Sequence, residues 1–167
     1  MTKKEARIKA LNIRKNNDQI ISSKVVINRI IEEGIINNYQ HIGIYYPIKN
    51  EIEVTELKNI YKNKFFYLPK TTDIIEFSLY NDNLIDGAFH TKEPVGEIVA
   101  RDSIECFIIP CVAITTDNKR IGYGKGYYDR YLSNYKGKKI GICYKESSDV
   151  ICDTDEYDII LDMKIVG

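Results

Sequence analysis

Apolar and polar positions fall first into a helical rhythm. Between Thr2 and Asn16, Ala6, Ala10 and Ile13 share one helical face and Thr2 is a capping residue type, so a helix is expected to run to about Asn16. Lys3, Arg7 and Arg14 give the same helix a second, cationic stripe. A second helix carries Val26, Ile27, Ile30 and Ile31, with Ser22 or Ser23 as its cap and Gly34 as its stop. The rhythm then changes. "HIGIYYP" (41–47), "KFFYLPK" (64–70), "IIEFSLY" (74–80), "CFIIPCVAIT" (106–115), "KKIGICY" (138–144) and the closing "YDIILDMKIVG" read as strands. "EIEVTELKNIYKN" (51–63) reads as helical, and residues 81–103, with Asp82, Asp86, Gly87, Pro94 and Gly96, read as an irregular excursion.

Strands alternating with helices predict a single α/β domain over residues 1–167. The expected form is a three-layer, Rossmann-like sandwich with a mostly parallel, mixed central sheet. Such sheets take ligands beyond the carboxyl ends of their strands. Tyr46–Glu51, Pro69–Lys70 and Thr115–Gly126 all follow predicted strands, which places three polar stretches on one rim.

Composition narrows the classes. The 167 residues carry 24 Lys plus Arg against 24 Asp plus Glu, so no global field recruits nucleic acid or a membrane surface. Cys106, Cys111, Cys143 and Cys152 lack CxxC spacing, and His41 and His90 stand alone, which argues against a zinc site or a disulfide scaffold. Scattered thiols, with no signal peptide and no membrane span in the sequence, lead to the expectation of a soluble cytoplasmic protein, a monomer or small homo-oligomer.

The chemistry concentrates in "RIGYGKGYYDR" (120–130). It is no Walker A loop, because Lys125 is followed by Gly126, and no G-x-G-x-x-G, because Tyr127 takes the third glycine's place. Gly122, Gly124 and Gly126 permit positive φ and close backbone approach, so successive amides can turn onto an anion, with Arg120, Lys125 and Arg130 adding charge. A plain strand-to-helix turn has the same residues. Asp129 reads as a magnesium ligand or as a first-turn acid, and Asp158 as a second metal contact or a strand-flanking acid. Lys3 and Arg7, one helical turn apart, suit a phosphate or a solvated face; Glu51 suits a ligand's polar edge or a helix start. Tyr127, Tyr131 and Tyr135 recur at helical spacing, as core rows do.

"IGIYYPIKNEIEVTEL", "FYLPK", "IPCVAITTDNKRIGYGKGYYDRYL" and "GICYKES", in this order and spacing, resemble the 5-formyltetrahydrofolate cyclo-ligase family, also called methenyltetrahydrofolate synthetase. The likeness covers nearly the whole chain. Two positions depart from the common pattern: Ser147 stands where many members carry Gln, and Asn118-Lys119 where a glycine is common.

The resemblance implies ATP- and Mg²⁺-dependent closure of 5-formyltetrahydrofolate to 5,10-methenyltetrahydrofolate, with ATP as co-substrate. Carried over by position, Lys3, Arg7, Arg120, Ile121, Gly122, Tyr123, Gly124, Lys125, Gly126, Tyr127 and Tyr128 would contact ATP. Tyr46, Glu51 and the stretch Tyr123–Tyr127 would contact the folate, and Asp129 and Asp158 would hold the metal. Lys125, Tyr127 and Asp129 are the catalytic candidates. Two other classes share some features. A non-catalytic module would bind both ligands without turnover, and a sugar-phosphate or acyl-transfer enzyme would bind its ligand without need of ATP. The joint presence of Lys3/Arg7, Glu51 and the glycine–tyrosine motif disfavours both.

Overall fold

A capping box starts the chain. In the computed structural model, which describes residues 1–167, the Thr2 hydroxyl accepts the Glu5 N–H at 3.1 Å and the Glu5 carboxylate accepts the Thr2 N–H at 2.7 Å. From there helix α1 spans Lys3–Lys15 and α2 spans Gln19–Glu32. Next come β1 (His41–Gly43), the one-turn α3 (Leu57–Ile60), β2 (Phe65–Thr71) and β3 (Ile75–Leu79). The middle of the chain holds β4 (Leu84–Asp86), β5 (Lys92–Pro94), β6 (Ile98–Val99), β7 (Cys106–Pro110), β8 (Ala113–Ile114) and β9 (Arg120–Ile121). It ends with α4 (Tyr127–Tyr131), β10 (Lys138–Cys143) and β11 (Met163–Val166).

Seven strands form the central sheet in the order β11-β10-β7-β1-β2-β3-β6. Pairing is parallel from β11 through β2 and antiparallel at β3 and β6, so the sheet is mixed, as the pattern predicts. Side chains alternate across it. Cys106, Ile108, Ile140 and Ile142 face a core shared with Val26, Ile27 and Ile30 of α2. Phe107, Ile109 and Cys143 face the opposite core, shared with Tyr128 and Leu132. Helix α1 closes a third, small cluster, where Ala10 meets Val112, Ala113 and Ile121. No helix is long and apolar enough to cross a membrane.

Several local expectations change. Asp18, not a serine, caps α2, accepting from Ile20 and Ile21 N–H at 3.0 and 3.2 Å. Ser22 and Ser23 are buried inside that helix, and the Ser23 hydroxyl accepts the Glu53 N–H at 2.8 Å. Gly34, at φ 62, does end the segment. Residues 51–63 hold only the short α3, because Glu51, Ile52 and Val54 are drawn into the interior and that burial overrides helical propensity. Of "HIGIYYP", β1 covers only the first three residues, with one further bond from the Ile44 N–H to the Tyr67 carbonyl at 2.8 Å.

The run 106–115 leaves the central sheet after Pro110: Cys111 N–H makes a last bond to the Ile142 carbonyl at 2.9 Å, and Val112 N–H turns to the Ile121 carbonyl at 2.8 Å, where the β8–β9 hairpin begins. Asn118 at the hairpin turn adopts φ 63, a left-handed conformation that asparagine tolerates better than most residues. The excursion 81–103 contains the β4–β5 hairpin and the edge strand β6. In α1 it is Arg14, not Ile13, that is buried with Ala6 and Ala10.

Candidate active site

The order of strands reverses between β1 and β7. From β1 the chain moves outward to β2, whereas β7 leads the other way to β10 and β11. Ligands of open α/β sheets bind at such switch points. Here a cleft of about 1130 Å³ opens, lined from α1, the loop after β1, the end of β2, and the segment 120–130. Lys3, Arg7, Tyr46, Glu51, Arg120, Asp129, Asp158 and every residue of 121–128 line this one cavity. Tertiary folding therefore brings all the sequence candidates together.

Within the glycine segment, Gly124 at φ 105 and Gly126 at φ 71 occupy the left-handed region, and Gly126 is the N-cap of α4. The backbone N–H groups from Gly122 to Gly126 donate to no acceptor within the chain. These are unspent donors on residues that line the cleft, a chemistry suited to an anion. Arg7 braces the loop, its Nε donating to the Gly122 carbonyl at 2.6 Å. Arg130 braces it from the other end, donating to the Lys125 carbonyl at 2.9 Å. Lys125 stays exposed, its ammonium 4.8 Å from the centre of the Phe89 ring.

The other motif side chains divide by burial. Arg120 is buried, donates to the Pro110 carbonyl at 2.8 Å and lies 4.7 Å over the Tyr128 ring. Its side chain is a fixed cation in the cleft wall. Ile121 and Tyr128 point into core clusters and offer the cleft chiefly backbone. Tyr127 is half-buried, bonds through its hydroxyl to the Thr72 carbonyl at 3.1 Å and meets Phe89 edge-on at 6.4 Å. Of the row Tyr127, Tyr131 and Tyr135, the first and last border the cleft, while Tyr131 and Tyr135 pack on Phe107.

Carboxylates form two groups. Glu51 is buried; its Oε1 accepts the Ile48 N–H at 2.9 Å and its Oε2 accepts the Tyr123 hydroxyl at 3.3 Å. Burial pushes its carboxyl above the usual range, against the pull of the Ile48 N–H and of Arg14. Asp129 is half-buried and is also raised by burial; its Oδ1 accepts the Ile159 N–H at 3.2 Å, and Asp158 adds like charge beside it. Lys3 donates to Asp155 at 2.8 Å and to both oxygens of Asp158 at 3.0 Å, and the Asp155 bond raises the ammonium above its ordinary value. No cluster of three or more His, Cys, Asp or Glu side chains has metal-binding geometry.

Three contributors were not singled out as site residues by the sequence, although Lys49 lies within the rim stretch Tyr46–Glu51. Lys49 lies 5.0 Å from the Tyr123 ring, from a loop where Lys49 and Asn50 both have positive φ. Phe89 reaches the cleft from the supposedly irregular excursion. Asp155 shares Lys3 with Asp158; its place in the acidic run "DTDEYD" was the only hint.

Fold and cleft define the class: a Rossmann-like α/β enzyme whose site opens at the carboxyl ends of parallel strands. The model of the 5-formyltetrahydrofolate cyclo-ligase family matches residues 2–163, and the chain belongs to that family of ligases. A 5-formyltetrahydrofolate cyclo-ligase of Mycoplasma pneumoniae is 37% identical over 132 residues, covering 74% of this chain and 71% of the relative. Among solved structures, the 5,10-methenyltetrahydrofolate synthetase of Aquifex aeolicus matches with TM-score 0.87 at 32% identity, covering 99% of this chain and 90% of that one. That of Mycoplasma pneumoniae matches with TM-score 0.81 at 27% identity, covering 99% and 98%.

Proposed function

We propose that this chain uses ATP, with Mg²⁺, to close 5-formyltetrahydrofolate to 5,10-methenyltetrahydrofolate, releasing ADP and phosphate. The observation that carries the reading is the run of unpaired N–H groups from Gly122 to Gly126, in one cleft with Arg7, Lys125, Glu51 and the Tyr123 and Tyr127 rings. Amides and cations suit the triphosphate, and aromatic walls beside a buried carboxylate suit the pterin and its N–H edge. Each Glu51 oxygen already accepts one hydrogen bond and keeps a lone pair for a second, so the carboxylate has room for a two-point donor.

Direct attack of N10 on the formyl carbon stalls because the oxygen is a poor leaving group. In the proposed path the formyl oxygen attacks the γ-phosphorus, the bond to the β-phosphate oxygen breaks and ADP leaves. The formyl carbon becomes an iminium carrying a phosphorylated oxygen. N10 then adds to that carbon and loses its proton, and the oxygen departs with its electron pair as phosphate. The protein's task is alignment, worth roughly 7–11 kcal/mol when reacting groups are held together. Lys125 and Arg7 stabilise phosphate charge while the loop amides hold its position.

The carboxylates of Asp129 and Asp158 are hard oxygen donors. Asp129 Oδ2 has no partner in the chain, whereas both Asp158 oxygens accept from Lys3; Mg²⁺ on a nucleotide needs only one or two carboxylates beside phosphate oxygens, so Asp129 fits that ion as it stands and Asp158 would join it only by giving up Lys3. When bound there it would neutralise phosphate charge.

Purified protein mixed with 5-formyltetrahydrofolate, ATP and Mg²⁺ is expected to generate methenyltetrahydrofolate absorbance; a flat trace sinks the reading. Binding of both ligands without turnover would select a regulatory module instead. Lys125→Ala is expected to weaken ATP binding by roughly tenfold, the loss of one charge-assisted contact, as read by calorimetric titration. Parent affinity in that variant would remove Lys125 from the phosphate site.

A further inference from the structure

We infer that Arg14 is a positioning residue for substrate recognition, acting through the Tyr123 hydroxyl to orient the Glu51 carboxylate. The inference rests on the functional reading above, in which Glu51 takes the polar edge of the folate. Arg14 sits in the last turn of α1, 4% exposed, one of the few charged side chains drawn fully into the interior. Its Nη1 donates to the Tyr123 hydroxyl at 2.6 Å and its Nη2 to the Cys111 carbonyl at 3.3 Å. Tyr123 lies in the glycine segment, far along the chain, and its hydroxyl is 3.3 Å from Glu51 Oε2.

Donor chemistry sets the direction of this chain of bonds. A guanidinium has N–H donors only and keeps its proton at any working pH. The Tyr123 oxygen must therefore accept from Arg14, which leaves its own proton free to point at Glu51. Glu51 in turn receives at Oε2 from Tyr123 and at Oε1 from the Ile48 N–H, so its plane is fixed from both sides. The same stretch is tied to α1 by the backbone as well, since the Asn50 side chain donates to the Arg14 carbonyl at 2.9 Å.

The charges match this role. Burial disfavours the ionised form of Glu51; Arg14 and Arg120 are the cations facing it, and Tyr45 and Tyr128 are the neighbouring phenols. Burial also raises the Tyr123 phenol, to about 12, so it stays a proton donor across the working range. Arg120 is already committed to the Pro110 carbonyl and the Tyr128 ring, so only Arg14 reaches Glu51 through a hydrogen-bonded bridge. Removing Arg14 lets the Tyr123 hydroxyl rotate away and leaves Glu51 with one fixed donor.

The test uses Arg14→Met, Tyr123→Phe and the double variant, each checked by thermal melting. Calorimetry reads 5-formyltetrahydrofolate and ATP separately, and steady-state kinetics splits KM from kcat. Each single variant is expected to lose roughly tenfold in folate affinity, the scale of one bond to a charged group. In Arg14→Met, affinity for ATP should stay within about twofold, and the kinetic loss should fall on folate KM, as expected when ground-state and transition-state binding are lost together. The double variant should bind no worse than Tyr123→Phe, because the two residues act in series.

Parent folate affinity in a folded Arg14→Met protein would overturn the inference, and so would equal loss for both ligands, which marks general damage to the glycine loop. If Arg14→Met does not fold, Tyr123→Phe decides, since it removes one oxygen; parent affinity there is again fatal. An active parent with unaffected variants sinks the relay alone, whereas a parent that neither binds nor turns over folate sinks the functional reading with it.

Discussion

Asp129→Ala is expected to lower turnover by roughly two to three orders of magnitude, the usual cost of removing one preorganised charge-stabilising group. The fold should survive. Asp129 makes a single hydrogen bond within the chain, to the Ile159 N–H at 3.2 Å, and one such bond contributes only about 1 kcal/mol. Burial already raises this carboxyl and Asp158 adds like charge nearby, so the ionised Asp129 is a local strain on the free protein. A group that burdens the apo state and has an uncommitted oxygen in the cleft fits a cation more readily than a structural partner. Initial rates and a melting curve on the same sample check both halves. Parent rates in Asp129→Ala would remove the metal assignment.

Phe107→Ala is expected to cost about 3–5 kcal/mol of stability, the range for emptying a buried aromatic site. Phe107 is 1% exposed on β7, the strand next to the switch point. Its ring meets Phe77 at 5.0 Å, Tyr131 at 5.6 Å and Tyr135 at 5.1 Å, each edge-on, and it covers Gly43 of β1. Three rings and a glycine surface leave no single side chain able to collapse into the gap. Because whole domains have only about 5–15 kcal/mol in hand, the variant should unfold at much lower denaturant. A chemical-denaturation midpoint at constant slope measures it; a loss under about 1 kcal/mol would show that the cluster relaxes around the hole.

Much of this architecture was legible from local pattern. The first helix runs from its Thr2 cap to Asn16 because Thr2 and Glu5 satisfy each other's backbone, an interaction complete within four residues. Strands β3, β7, β10 and β11 fall inside the predicted runs and β2 passes the end of its own by one residue, Thr71, since largely apolar sequence suits strands covered on both faces. Where the reading failed, contacts distant in sequence decided. Residues 51–63 carry a helical pattern, yet Ile52 and Val54 belong to the core beside α2 and β1, and only one turn of helix is left. The cap of α2 is an exception, a local one: Asp18 satisfies the Ile20 and Ile21 N–H groups, while Ser23, inside the helix, takes the distant Glu53 N–H.

The candidate site divides in the same way. The amino-acid sequence by itself determined the donors: glycines that tolerate left-handed backbone at 124 and 126, cations at 3, 7 and 125, and carboxylates at 51, 129 and 158. These follow from residue chemistry, which needs no neighbours. Only the tertiary structure decided which of them are free. It buried Arg120 against Pro110 and Tyr128, joined Lys3 to Asp155 and Asp158, brought Phe89 over Lys125, and turned Arg14 from the cationic stripe of a helix into the inner partner of Tyr123. Apart from the contacts of Arg120, those pairings cross long stretches of chain. Hydrogen-bond partners and desolvation are properties of the packed neighbourhood, so they exist only once β1, β7 and the glycine segment converge.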